Sequence, residues 1–196
     1  KAGTNKSNEC TLILTEGDSA KTFAISGLSV VGRDTYGVFP LKGKLLNVRE
    51  ATVKQLANNE EINNIKKILG LQNDTVYKSS NELRYGRVMI LTDADVDGSH
   101  IKGLFMNFIH HFWPSLMNLD SFITSLRTPI LKVSKAAQTL SFYNQQDYIT
   151  WKDSQGNLSK NWSIKYYKGL GTSTAAEARG YFSNLKETLL TYKHDD

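Results

Sequence analysis

Three aspartates at alternate positions, Asp93, Asp95 and Asp97, follow the apolar run Val88-Met89-Ile90-Leu91 and precede Gly98-Ser99. On an extended chain alternate side chains share a side, so the three carboxylates would stand together. Such a cluster is costly unless a hard divalent cation neutralises it. A fourth carboxylate, Glu16, closes a second apolar run, Thr11-Leu12-Ile13-Leu14, and leads into Gly17-Asp18-Ser19. An arbitrary Asp-x-Asp is most often a solvated acidic loop or a set of turn formers. Here its place at the end of a buried strand favours chemistry. A calcium loop would match Asp93, Asp95, Asp97 and Gly98, but its twelfth position is Leu104 where a bidentate Glu is required. A phosphotransferase of the haloacid-dehalogenase type would use Asp93 as nucleophile, although Asp97 stands where Thr or Val is usual. A metal site handling a phosphodiester would add Glu16 to the cluster. The last two readings both stand on these residues alone.

These carboxylates need strands to carry them. Thr11 to Leu14 reads as a buried strand, followed by a Gly turn and a helix capped by Asp18 or Ser19 that turns Ala20, Phe23, Ala24 and Leu28 inward. Tyr36 to Leu41 reads as a second strand that opens into the loop 42–50. Residues 52–69 read as one helix, with Val53, Leu56, Ile62, Ile65 and Leu69 inward and Gly70 as its stop. Arg87 to Thr92 is a third strand. The helix after it carries Ile101, Leu104, Phe105, Phe108, Ile109, Phe112 and Trp113 at helical spacing, and Pro114 ends it. Strand and helix in alternation predict a parallel α/β sheet, whose binding groups gather at the carboxyl ends of the strands. Glu16 and the Asp93 cluster both sit at such ends. Beyond residue 120 the texture becomes short β segments: Phe122-Ile123, Ile130 to Val133 and Leu140 to Tyr143. Residues 152–161 are polar with a turn at Gly156-Asn157, and a last helix starts from the capping box Thr174-Ala175-Ala176-Glu177.

The 196 residues carry 24 Lys+Arg against 19 Asp+Glu, a net charge of +5 that suits a polyanion partner without requiring one. With 40% hydrophobic residues and three prolines, the chain is neither disordered nor collagen-like. No apolar run reaches the roughly 20 residues of a membrane span. The single cysteine, Cys10, makes an internal disulfide impossible and a reducing compartment the default. The polar start lacks a signal-peptide pattern and an initiator Met, so a piece of a longer protein is expected.

Four motifs occur in order: Thr15-Glu16-Gly17-Asp18-Ser19-Ala20, Pro40-Leu41-Lys42-Gly43-Lys44-Leu45-Leu46-Asn47-Val48-Arg49-Glu50-Ala51, Thr92-Asp93-Ala94-Asp95-Val96-Asp97-Gly98-Ser99-His100-Ile101 and Tyr167-Lys168-Gly169-Leu170-Gly171-Thr172. Together they resemble the TOPRIM segment of a type IIA DNA topoisomerase over nearly the whole chain, in the texture of the eukaryotic or large-DNA-virus branch. The spacers Ala94 and Val96 are of the bacterial style, where eukaryotic forms carry glutamines. The resemblance implies a Rossmann-like parallel sheet flanked by helices. It also implies a polar arm over 1–9, a TOPRIM domain over 10–124 and an extension of short strands and a helix over 125–196 that leads toward a winged-helix cleavage domain absent from this chain. It implies Mg²⁺, one or two ions per site, held by Glu16, Asp93 and Asp95, with Asp97 in support, and catalysis by the same three carboxylates. Duplex DNA is the implied partner, touched by Lys42, Lys44, Asn47, His100 and Lys168. The full-length enzyme would be an ATP-consuming homodimer, located in the nucleus or at a viral replication site and not in a membrane. Its attacking tyrosine and its ATP site would lie outside this chain, so the fragment alone is expected to cut no DNA.

Bland readings stand beside these. Lysines on a loop are usually solubilising, His110 and His111 read as structural, and the Phe105, Phe108, Phe112 and Trp113 stripe reads as core. Lys165, Lys168 and Gly169-Leu170-Gly171 before a helix could be an anion site or ordinary capping. A non-enzymatic alternative is a nucleic-acid-binding module whose acidic cluster only supports the fold.

Overall fold

In the computed structural model, which describes residues 1–193, two sheets form from one chain. The first has five strands in the order β2-β1-β3-β4-β8, and the second has three in the order β6-β5-β7. The first contains β1 (Thr11–Glu16), β2 (Tyr36–Leu41), β3 (Arg87–Leu91), β4 (Ile123–Leu126) and β8 (Leu189–Thr191); the second contains β5 (Leu131–Lys135), β6 (Gln138–Phe142) and β7 (Ser163–Tyr166). The helices are α1 (Gly17–Val31), α2 (Val53–Asn58), α3 (Glu60–Leu69), α4 (Val96–Phe112), α5 (Pro114–Met117), α6 (Gln145–Gln155), α7 (Ala175–Ser183) and α8 (Leu185–Thr188).

The pattern of continuous apolar strands has its consequence here. β1 to β4 run parallel; β1, β3 and β4 are buried on both faces, while the edge strand β2 is only partly buried. Leu12, Leu14, Val88 and Ile90 join one core with α3 and α4, while their neighbours Ile13, Met89 and Leu91 join another with α1 and α7. A strand covered on both sides has no face left for polar residues, and helices must supply both covers. The second sheet is antiparallel and wraps a smaller core of Leu131, Val133, Phe142 and Tyr148.

The residues from 125 onward do not stay apart from the first sheet. β8 returns to pair antiparallel with β4, and α7 lies on α1 with the Tyr181 ring stacked on Phe23. The short segment expected at Phe122-Ile123 is therefore an inner strand of the main sheet, and the extension carries three helices rather than one.

Local capping redraws three expected elements. Residues 52–69 form two helices because Asn59 is extended and its side chain caps Ile62, while Thr52 and Gln55 close a box on the first. Gly70 does end the second, in the left-handed conformation. α1 begins at Gly17 directly from the strand, with Glu16 at the cap position and no side-chain cap, so neither Asp18 nor Ser19 serves. α4 begins at Val96 because Asp95 caps it, its Oδ1 accepting from Gly98 N at 2.7 Å. The strand itself ends at Leu91, so Asp93 and Asp95 lie in the connection to α4 and Asp97 rides on the first helical turn. α6 was hidden by its composition: among its eleven residues only Tyr148 is buried, so no apolar stripe marks it. Gly156 does break the chain after it, and the capping box at Thr174 and Glu177 is present.

Candidate functional site

Sheet register brings the two acidic strand ends together. Thr15 stands opposite Leu91, so Glu16 lies level with Thr92, one residue short of Asp93. β2 on the other side pairs Leu41 with Glu16, so the loop that begins at Lys42 leaves from the same edge. Glu16 and Asp93 are half-buried, while Asp95, Asp97, Lys42, Lys44, His100 and Lys168 are exposed. Carboxylates and exposed cations thus share this edge of the sheet.

The electrostatics report the crowding. The Glu16 carboxyl is held above its ordinary pKa, first by burial and then by the negative charges of Asp93, Asp95 and Asp97, with Lys44 opposing. Carboxylates from two strands therefore feel one another, as the chemistry of a hard cation requires. Among the described residues no three such side chains converge to coordinating distance. Their second oxygens explain part of this. Asp93 Oδ1 accepts from the Leu170 backbone N–H at 2.8 Å, Asp95 Oδ1 caps α4, and Asp97 pairs with Lys44 at 3.0 Å. Oxygen type, charge and partial exposure are of the kind that would hold a divalent cation at Glu16, Asp93 and Asp95. Asp97 is directed by its ion pair toward the basic loop.

Asn47 is turned inward. Its side-chain oxygen accepts from Arg49 N at 3.3 Å and from Asn107 Nδ2 at 3.2 Å, which ties the basic loop to α4. Lys42 donates its backbone N–H to Glu61 at 3.0 Å and leaves its side chain exposed. His100 lies on the second turn of α4 rather than at the helix start.

Two groups escaped the sequence reading. The turn Gly169-Leu170-Gly171 opens a short 3-10 helix, Leu170–Thr172, and the longer α7 starts only at Ala175. The anion its amide holds is Asp93 of the same chain, and the paired glycines were the available signal. The second is Glu177, which accepts from Lys132 at 2.8 Å, Lys165 at 2.7 Å and the Tyr167 hydroxyl. Burial alone would raise its pKa, but these hydrogen bonds outweigh burial and hold it well below the carboxylate range. Only its capping role was visible in the sequence.

A family model for the Toprim domain matches residues 11–125, and one for the C-terminal associated domain of TOPRIM matches 126–196. The chain is 58% identical over 197 residues to DNA topoisomerase 2 of Pisum sativum, covering 100% of this chain and 14% of the relative. It is 59% identical to DNA topoisomerase 2 of Acanthamoeba polyphaga mimivirus (98% of this chain, 15% of the relative) and 58% to DNA topoisomerase 2-alpha of Homo sapiens (98% and 13%), each over 196 residues. It thus spans only 13 to 15% of the length of these curated relatives. The crystal structure of the Plasmodium falciparum topoisomerase II DNA-binding, cleavage and re-ligation domain superposes with a TM-score of 0.93 at 55% identity, covering 100% of this chain and 26% of that one.

Proposed function

The chain belongs to the Toprim domain family, and on that premise we propose that it is the metal-binding part of an ATP-dependent type II DNA topoisomerase. Such an enzyme opens one duplex, passes another through and reseals the break. The observation that supports this reading is the sheet register that sets Glu16 beside the end of the strand leading to Asp93 and Asp95, where burial first and those carboxylates second raise the Glu16 pKa.

Glu16, Asp93 and Asp95 would hold Mg²⁺. When bound, the ion supplies Lewis-acid stabilisation of charge on the scissile phosphate and on the leaving 3′-oxygen. The protein's own groups do the rest. Glu16 would take up or return the proton of the 3′-hydroxyl. Leu170 N–H fixes one oxygen of Asp93. Asp97 steadies Lys44 beside the cleft, where Lys44, Lys42, His100 and Lys168 would meet backbone phosphates. Asn47 would act by holding that loop against α4.

The attacking tyrosine would lie outside this chain. Tyr167 donates to Glu177, and burial together with that carboxylate pushes its phenol far above the ordinary range. Burial likewise raises the pKa of Tyr85, Tyr148 and Tyr181. A phenol so disfavoured as phenolate makes a poor nucleophile. ATP hydrolysis and the dimer contacts would also lie in the rest of a longer protein.

The test uses the full-length protein. Glu16→Ala and Asp93→Ala should each abolish Mg²⁺-dependent cleavage of duplex DNA while DNA binding in chelator persists. Cleavage at the wild-type rate in either variant would overturn the reading.

A further inference from the structure

The metal-site aspartate is held by a part of the chain that belongs to the other matched domain. Leu170 N–H reaches Asp93 Oδ1 at 2.8 Å across 77 positions. Gly169 lies so close that a Cβ there would stand 2.8 Å from the Asp93 carboxylate carbon and both its oxygens. Its backbone is fully extended, at φ −167° and ψ −178°, so an added Cβ would be accepted by the backbone and would displace the Asp93 carboxylate. The Leu170 side chain is 3% exposed and packs in the core shared by α1 and α7, which anchors the turn from below.

Behind the turn stands the Glu177 knot. Its carboxylate gathers Lys132 from β5, Lys165 from β7, the Tyr167 hydroxyl and the Thr174 backbone N–H at 3.2 Å. The residues it binds flank Lys168 to Ser173 on both sides. Among the described residues it is the one carboxylate that ties the second sheet to α7.

Resting on the proposed metal reading, we infer that Leu170 N–H and Gly169 are positioning groups for Asp93, and that Glu177 holds the turn that presents them. Their role is to hold the Asp93 carboxylate in one position at the strand end beside Glu16, so that the second domain completes a site whose ligands all lie in the first. Outer groups that orient a ligand change metal affinity more than they change the fold.

The experiment titrates full-length protein with Mn²⁺ by calorimetry and measures cleavage against Mg²⁺ concentration. Gly169→Ala should weaken Mn²⁺ binding about tenfold and raise the Mg²⁺ needed for half-maximal cleavage alike. Cleavage at saturating Mg²⁺, DNA affinity in chelator and the melting midpoint should stay near wild type. Glu177→Ala should shift metal affinity in the same direction, and Glu177→Gln less, since Gln keeps the capping bond. Unchanged Mn²⁺ affinity in Gly169→Ala, with binding still dependent on Asp93, would overturn this inference alone. Wild-type Mn²⁺ binding that ignores Asp93→Ala would overturn the metal reading with it.

Discussion

Lys44 and Asp97 form an ion pair of 3.0 Å that bridges the loop after β2 and the first turn of α4. Both side chains are at least half exposed, so such a pair contributes at most about 1 kcal/mol to stability. Its effect belongs to the charge of the cleft. Asp97→Asn should leave the melting midpoint unchanged and tighten DNA binding, because Lys44 is released and a negative charge is removed. Lys44→Ala should weaken DNA binding and reduce the slope of log affinity against log salt by about 1. Fluorescence anisotropy across a salt series checks both.

Close helix packing sets a second expectation. A Cβ at Gly27 on α1 would come within 2.3 Å of the Phe182 ring on α7. Gly27→Ala should therefore lower stability by about 1–3 kcal/mol through overpacking. Phe182→Leu in the same chain should recover part of the loss. Denaturant unfolding of the single and double variants reads the compensation.

The Glu177 knot sets the response to acid. Its pKa is lowered in the folded protein, so between the ordinary value of 4.5 and the folded one the unfolded chain binds more protons at this position. The stability it contributes is full above 4.5 and is lost as pH falls through that window. Glu177→Gln should start less stable at neutral pH and fall less steeply below pH 4.5. Melting midpoints of the two proteins across an acid series give the comparison.

Removal of metal should register as stability too. A cation that binds only the folded chain raises its melting midpoint by mass action. Mg²⁺ should stabilise the wild type at neutral pH, and chelator should reverse the gain. Glu16→Gln, Asp93→Asn and Asp95→Asn should each blunt it, since each removes a negative ligand. An equal Mg²⁺ shift in all four proteins would count against the assigned ligands.

Much of the positioning was legible in the residues. Apolar runs announced β1, β2 and β3, and the acids at the ends of β1 and β3 announced the candidate site, because a strand buried on both faces leaves its polar chemistry to its tip. The helix over Ile101 to Trp113 was legible because its stripe is long and regular, although its start lay five residues earlier than the stripe itself. What failed were decisions of one residue: Asn59 splitting a helix, Asp95 capping one, Glu16 occupying a cap without using its side chain. Such choices are made by a single hydrogen bond, and several residues near each boundary could have made it.

From the chain alone came the alternation of strand and helix, the carboxylates at two strand ends and the basic loop beside them, since these depend on residue type and local spacing. Tertiary structure alone decided that β8 returns to the first sheet, that Asp97 is spent on Lys44 and that Asp93 receives the Leu170 amide. Those pairings join residues up to 77 positions apart, and no local pattern encodes a partner at that distance. They follow only when core packing has set the two sheets and α7 in place.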